Sequence, residues 1–283
     1  MSLMSLKSGT DIRGTAIGEN TDLTDEAIKK ITAGFIRFTA EKCSLSPKEM
    51  TVAVGHDSRL SAERIKKNVI SVLCANGVKV LDCSLASTPA MFMTTVTLGC
   101  TASVQITASH HPFDKNGLKF FTKDGGFEGS DIAKILQYAE TADVADIEET
   151  DTSEKIDFMS QYSDILCKMI CDGVNAENYE KPLDSFHIVT DAGNGVGGFY
   201  AEKVLKKLGA DIEEGDDFLT IRGKQVLNGA EVTSHNDHRI TMAMAIAACR
   251  CEGNVVIDGA RNSVTKSYPN FFEDYKKLGG KVK

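Results

Sequence analysis

Residue 109 is a serine, followed by His110, His111 and Pro112, and a lysine stands ten positions further on at Lys119. A serine hydroxyl can take up and release a transferred group. The stretch Thr107-Ala108-Ser109-His110-His111-Pro112 follows a strand-like run with Val104 and Ile106 and precedes another with Leu118 and Phe120. Ser109 is therefore expected on a loop between two strands, where reactive groups concentrate. By pattern alone, a turn-forming serine ahead of Pro112 is the plainer reading. Arg13 lies in Ser8-Gly9-Thr10-Asp11-Ile12-Arg13-Gly14. That stretch reads as a glycine-bracketed turn before the first helix, although a fixed guanidinium can also bind phosphate in bidentate fashion.

Three further polar clusters stand out. His56-Asp57-Ser58-Arg59 follows an apolar run and reads as a solvated loop or a capping network, with no catalytic role. Asp191-Ala192-Gly193-Asn194-Gly195-Val196-Gly197-Gly198 could cradle an anion at a helix N-terminus, but its spacing does not fit G-x-G-x-x-G. Asp237-His238-Arg239 opens a helix, where Asp237 suits the macrodipole as a cap and the other two read as surface residues.

The elements that must position these groups follow from periodicity. Ala27, Ile28, Ile31, Phe35, Ile36 and Phe38 recur at helical spacing from Thr24 to about Cys43, with Thr24 a partial cap. Thr51 to Gly55 reads as a buried strand, Ser61 as the cap of a helix to about Ala75, and Val78 to Leu81 as the next strand. Strand, helix and strand at these lengths make a βαβ unit and a largely parallel sheet. Thr88-Pro89 opens another helix, Gly125-Gly126 is a turn, and Asp131 to about Ala139 a helix. Residues 141 to 154, rich in Asp, Glu and Thr, mark a solvated boundary before a helix from Ile156 to Ile170. A second unit opens at Lys181-Pro182 with a strand at Phe186 to Thr190, the glycine-rich loop, and a helix from Phe199 to Leu208. Beyond it come a hairpin, a helix from Asp237 to Cys251, a strand at Val255 to Ile257 and a helix from Pro269. The small apolar face of Ile240, Met242, Ala243, Met244, Ala247 and Ala248 must be covered, by the sheet begun at Phe186 or by another copy of the chain. Met1-Ser2-Leu3 before a second methionine reads as an added leader outside the fold.

At 283 residues the chain has room for two domains, and 42% hydrophobic with 25% charged residues is ordinary globular composition. A net charge of -8 argues against nucleic acid or an anionic membrane as partner, and no run reaches transmembrane length. Eight cysteines without a Cys-x-x-Cys, most inside apolar runs, read as buried free thiols in a reducing cytoplasm.

The serine stretch resembles the phosphoserine loop of the phosphohexomutases, the phosphomannomutase and phosphoglucomutase family. That family writes the loop Thr-Ala-Ser-His-Asn-Pro with a lysine ten residues after the serine. His111 stands where the family more often has asparagine. The opening stretch is similar to the family's Gly-Thr-x-x-Ile-Arg-Gly, one residue shorter, and residues 191–198 resemble the stretch that opens its second domain. The resemblance implies an α/β fold: a three-layer α/β/α first domain over about residues 1–150 with a mainly parallel mixed sheet, an acidic linker and helix over 151–180, and a smaller α/β unit over 181–283. It implies that Ser109 carries a phosphoryl group for a hexose phosphate, interconverting the 1- and 6-phosphates. It also implies that His110 contacts phosphate or sugar, that Lys119 and Arg13 assist proton transfer and phosphate binding, and that the Ser109 phosphate is one ligand of Mg²⁺.

From about Leu208 to Asp211 the mutase pattern stops, and its Asp-Gly-Asp-x-Asp-Arg metal loop and later sugar and phosphate loops are absent from this sequence. Phe218 to Gly223, Asn228 to Val232, Ser234 to Ala243 and Val264 to Phe272 instead resemble the C-terminal end of enolpyruvylshikimate-phosphate synthase. That resemblance implies carboxyvinyl transfer to shikimate 3-phosphate, with Arg239 and Lys266 binding phosphoenolpyruvate. The chain thus reads as a chimera, about three quarters mutase-like and one quarter synthase-like. A phosphorylated sugar is its expected partner and mutase turnover is expected to be incomplete; a synthase activity or a non-catalytic fusion product are the other readings.

Overall fold

The computed structural model describes residues 2–173, 212–214, 219–221, 227–234, 236–249, 251–265 and 268–282. The expected strand at Phe186, the glycine-rich loop, the helix from Phe199 and Lys266 lie outside the described residues. The chain divides into two compact units, the first holding residues 1–186 and 190–220 and the second 187–189 and 221–283.

The first unit is built on one sheet. Its strands are β1 (Lys7–Ser8), β2 (Asp11–Thr15), β3 (Thr51–His56), β4 (Lys79–Leu85), β5 (Ala102–Ile106), β6 (Lys115–Thr122), β7 (Gly125–Gly126) and β8 (Glu154–Lys155). They lie in the order β1-β2-β6-β5-β3-β4-β8, with β7 folded back on β6. The central β5, β3, β4 and β8 pair in parallel, and β6 runs antiparallel between β2 and β5. The sheet is mainly parallel and mixed, as expected. The acidic boundary is less loose than the sequence suggested, because Glu154–Lys155 adds an edge strand to β4.

Helices cover both faces. On one, α1 (Asp25–Cys43), α2 (Ala62–Ala75) and α4 (Gly129–Glu140) bury Ile28, Ile31, Phe35, Ile65, Leu73 and Ile135 against Val52, Val54, Leu118 and Phe120. Phe35 stacks on Phe120 with centroids 4.7 Å apart; full burial of one such side chain contributes about 1.5–3 kcal/mol. On the other, α3 (Thr88–Thr97) and α5 (Phe158–Gly173) close over Ala53, Leu81 and Cys83. This is the three-layer α/β/α arrangement. Side chains alternate across a strand, so Phe120 meets Phe35 on one face while Phe121 meets Phe92 on the other.

Several local expectations resolve in detail. Thr24 caps α1 by accepting from the Ala27 amide at 3.1 Å. Ser61 precedes α2 but makes no capping bond, because its hydroxyl accepts instead from the fully buried Asn116 amide at 2.9 Å. Ser2 and Leu3, set aside as a leader, belong to the fold: the Ser2 hydroxyl donates to Glu140 at 2.5 Å, and Leu3 packs on the core. Of the eight cysteines, all free, only Cys83, Cys100 and Cys171 are buried, and Cys249 is exposed. Among the described residues, no helix is long and apolar enough to cross a membrane.

Strands β9 (Ile212–Glu214) and β10 (Leu219–Ile221) pair as a separate two-stranded sheet. In the second unit the expected hairpin is replaced by parallel crossovers. Strand β11 (Leu227–Asn228) pairs with β13 (Cys251–Glu252), and β12 (Glu231–Thr233) with β14 (Val256–Asp258), across α6 (His238–Ala248). Helix α6 stops at Ala248, so Cys251 is a strand residue rather than the helix end. Two short helices follow, α7 (Ala260–Val264) and α8 (Phe271–Lys277). The covered stripe of α6 is Thr241 and Ala245 with Met242, packed on Val264 and Phe271 within the unit. Ala243 is exposed, and the sheet begun at Phe186, one of the two covers expected for that face, lies outside the described residues.

Candidate functional site

The site forms where β2, β6 and the loop after β5 meet. Period-two alternation puts Asp11, Arg13 and Thr15 on one face of β2, and the antiparallel register sets Arg13 opposite Gly117 and Thr15 opposite Lys115. Gly117 leaves room for the arginine stem. A Cβ there would overlap the Ile12 carbonyl oxygen and lie 2.7 Å from Arg13 Cδ. With the strand surface open, the Arg13 guanidinium extends to the serine loop. Its Nη2 donates to Ser109 Oγ at 3.0 Å and to Asp11 Oδ2 at 2.6 Å, and its Nη1 donates to the Thr107 carbonyl.

Lys119 arrives from β6, where it sits opposite Gln105, and its ammonium donates to Asp11 Oδ1 at 2.5 Å. Asp11 is thus the bridge that gathers Arg13 and Lys119 beside Ser109. The side chains of Asp11, Arg13 and Lys119 are 13%, 10% and 24% exposed, which shields the ion pairs from much of the screening that weakens surface pairs. Lys115, on the same face of β6, donates to Thr15 Oγ1 at 2.6 Å.

The loop itself is tightly bent. Ser109 has φ 55°, in the left-handed region that costs a residue with a side chain about 1–2 kcal/mol. Its amide donates to Thr107 Oγ1 at 3.0 Å, and the His111 amide donates to the Ala108 carbonyl at 3.1 Å. His110 and His111 stack with ring centroids 5.3 Å apart and stand exposed beside Ser109. Partial loss of solvent, then the positive charge of Arg13, His110, Arg59 and Lys115, holds the His111 imidazole below its ordinary pKa. The surroundings of Ser109 are therefore electropositive inside an acidic chain, which suits a phosphorylated ligand.

Arg59, given no catalytic role from sequence, lies on the other side of this loop. It donates to the carbonyls of Pro112 and His111 at 2.6 Å each and to those of Lys115 and Ser109 at 3.0 Å each. Asp11 and Arg59 are what sequence reasoning missed. The i, i+2 spacing of Asp11 and Arg13 was the available signal for the first; for the second, the sequence offered a non-catalytic loop but not its long-range contacts with the serine loop.

The remaining sequence candidates lie in the second unit. Asp237 caps α6, accepting the Arg239 amide at 2.8 Å. The Arg239 guanidinium folds back on the same carboxylate, with Nη2 at 2.6 Å and Nε at 3.0 Å. That side-chain hydrogen bonding, followed by the backbone bond, holds the Asp237 carboxyl far below the ordinary range. The Arg239 side chain is 77% exposed, and Lys266 lies outside the described residues.

Residues 5–145 match the family model described as phosphoglucomutase/phosphomannomutase, alpha/beta/alpha domain I, and residues 199–275 match that of EPSP synthase (3-phosphoshikimate 1-carboxyvinyltransferase). The 3-phosphoshikimate 1-carboxyvinyltransferases of Clostridium acetobutylicum and Clostridioides difficile are 56% and 53% identical over 78 and 79 residues, each match taking 28% of this chain and 18% of the relative. The phosphoglucosamine mutase of Corynebacterium jeikeium is 31% identical over 207 residues, which is 72% of this chain and 44% of that protein. A solved phosphoglucomutase/phosphomannomutase family structure from Burkholderia thailandensis has TM-score 0.55 at 26% identity, covering 74% of this chain and 43% of the other. A Thermus thermophilus phosphomannomutase structure gives TM-score 0.55 at 22% identity, which speaks for the fold alone. The chain spans less than half the length of each of these relatives. It joins, in one polypeptide, a phosphoglucomutase/phosphomannomutase-type domain I to a segment of EPSP synthase type.

Proposed function

We propose that the first unit performs the phosphoryl-accepting step of phosphohexomutase chemistry, with Ser109 as carrier and a hexose phosphate as partner. The observation that carries this reading is the hydrogen bond from Arg13 to Ser109 Oγ at 3.0 Å, with Lys119 tied to Arg13 through Asp11. In the step, Ser109 Oγ bonds to phosphorus as the bond from phosphorus to the sugar oxygen breaks. The serine proton ends on the released sugar oxygen, so atoms and charge balance without a further reactant. Arg13 steadies the serine oxygen, and the ammonium of Lys119 adds positive charge and a proton donor. Phosphoryl transfer needs mainly this positioning and charge neutralisation. His110, exposed beside Ser109, is placed to meet the phosphate or the sugar.

Magnesium fits poorly here. Hard cations take several oxygen ligands, and among the described residues no group of three or more His, Cys, Asp or Glu could hold a metal. Asp11, the carboxylate joined to Ser109 through Arg13, is committed to two cations. The turnover expected of this chain is therefore small. The test is intact mass after incubation with a hexose 1,6-bisphosphate. Gain of one phosphoryl group, mapped to Ser109 and lost in Ser109→Ala, is the expected result. No gain overturns the acceptor assignment, and rapid multiple turnover from a hexose 1-phosphate overturns the incomplete-cycle assignment.

A further inference from the structure

We infer that Arg59 is the positioning residue of the phosphoacceptor loop, a role that rests on reading Ser109 as the acceptor. The guanidinium makes contacts to backbone along one loop. Nη1 reaches the carbonyls of Pro112 and Lys115, and Nη2 those of Ser109 and His111. Nε faces Asp57 Oδ2 at 3.3 Å. Asp57 is fixed in turn, because its Oδ1 accepts the Arg59 amide at 3.0 Å and its own amide donates to the Ile106 carbonyl at 3.0 Å. The side chains of Arg59 and Asp57 are each 13% exposed, so this is an interior brace rather than a surface pair.

The chemistry of the loop explains why such a brace is required. After β5 the chain leaves the ladder, and the carbonyls of residues 109 to 115 need donors other than strand amides. Ser109 must also be kept in its left-handed conformation, which an unbraced chain would relax from. A planar guanidinium with donors in a fixed fork can hold four carbonyls at once, whereas an ammonium offers three donors from one point. Two arginines therefore divide the work. Arg13 bonds to Oγ, where phosphorus arrives; Arg59 bonds to the carbonyl of the same residue and to the turn beyond it, and makes no bond to Oγ. The sequence interval between them hides this, since Arg59 comes from the loop after β3 and reaches Ser109 only because β3 and β5 are paired neighbours.

The experiment uses the full chain, with a hexose 1,6-bisphosphate as probe and single-turnover phosphoryl uptake read by intact mass. Arg59→Ala and Arg59→Lys are expected to lower the maximal rate by about 100-fold, the scale on which a misplaced reacting group costs rate. The half-saturating bisphosphate concentration should stay within about 3-fold, because the four Nη donors of the guanidinium are spent on loop carbonyls. Free methylguanidine should restore part of the Arg59→Ala rate, and Asp57→Asn should fall between wild type and Arg59→Ala. Wild-type rates in Arg59→Ala, or a loss confined to half-saturation, overturn the inference. Hydrogen exchange supplies a measurement independent of phosphate. The His111 and Lys115 amides, bonded to the Ala108 and Pro112 carbonyls at 3.1 Å each, should exchange faster in both Arg59 variants while the amides of β3 and β5 keep their protection. If the wild-type chain takes no phosphoryl group, the acceptor reading fails, and exchange alone decides the brace. Unchanged loop exchange in the Arg59 variants overturns it.

Discussion

Replacing Asp11 by asparagine tests the electrostatic design of the serine site most directly. The carboxylate accepts from Arg13 at 2.6 Å and from Lys119 at 2.5 Å, in a place where all three side chains are at most a quarter exposed. Asparagine keeps the size, but it loses the charge that faces two cations and turns an amide N–H₂ toward one of them. Hydrogen bonds to charged groups are worth about 1.5–3 kcal/mol each. Partial retention by the amide oxygen brings the expected net loss to about 2–3 kcal/mol. For a domain of this size that lowers the melting temperature by about 4–12 °C. A phosphoryl group on Ser109 would place new negative charge next to Arg13, doing part of the work of the missing carboxylate. The same substitution should therefore cost less than half as much in protein carrying phosphoserine at 109. Differential scanning calorimetry on both forms, prepared with and without phosphoserine, gives the four melting temperatures needed. Equal losses in the two forms would show that Asp11 and the phosphate do not share the arginine, and the site as described would be wrong.

Other substitutions probe the supports. Gly117→Ala should destabilise the first unit by about 1–3 kcal/mol through overpacking and should also slow phosphoryl uptake, since the new methyl displaces Arg13; urea melts and the mass assay read the two effects. Ser109→Ala should take up no phosphate yet remain folded by circular dichroism, because the side chain it shortens is exposed. Burial pushes the Cys83 thiol up to about 12 and the Cys100 thiol up to about 11, so native protein at pH 8 should react with an aromatic disulfide at exposed Cys249 while both buried thiols stay silent. The sign of the alkaline effect follows from the same shift. Between the ordinary thiol pKa near 9 and about 12, native Cys83 keeps a proton that the unfolded chain has lost. Its contribution is complete below pH 9 and falls by about 1.4 kcal/mol per pH unit above it, which urea melts at pH 8, 9 and 10 will resolve against Cys83→Ala.

Much of this fold was legible because its signals are local. The helical spacing of Ile28, Ile31 and Phe35 and the cap at Thr24 foretold α1, and the short apolar runs at Val52 and Val80 foretold the parallel strands of β3 and β4. What escaped was decided by partners far away in sequence. Glu154–Lys155 looks like any acidic linker until it lies beside β4, and the hairpin expected ahead of α6 gives way to Leu227–Asn228 and Glu231–Thr233, which pair in parallel with strands beyond that helix. Ser61 fits a helix cap by type, but a buried amide from β6 takes its hydroxyl. The serine and its lysine were legible through resemblance to a known loop. Asp11, and the contacts that Arg59 makes with the serine loop, needed the sheet to be assembled before their work could be seen.

That division bears on what the chain can do. The groups that touch or brace Ser109 come from β2, the loop after β3, the loop after β5, and β6, all within residues 11–119 of one compact unit. On the reading of Ser109 as acceptor, loading the serine draws on these described groups. On the same reading, turning a bound sugar so that its second oxygen meets the same phosphate asks in addition for groups that hold the far end of the ligand. The proposal therefore separates loading from turnover. A chain that loads Ser109 at a normal rate yet releases the bisphosphate's sugar without returning the phosphoryl group would be the chemical signature of that separation, whereas equal rates for both half-reactions would mean that the far end is gripped as well.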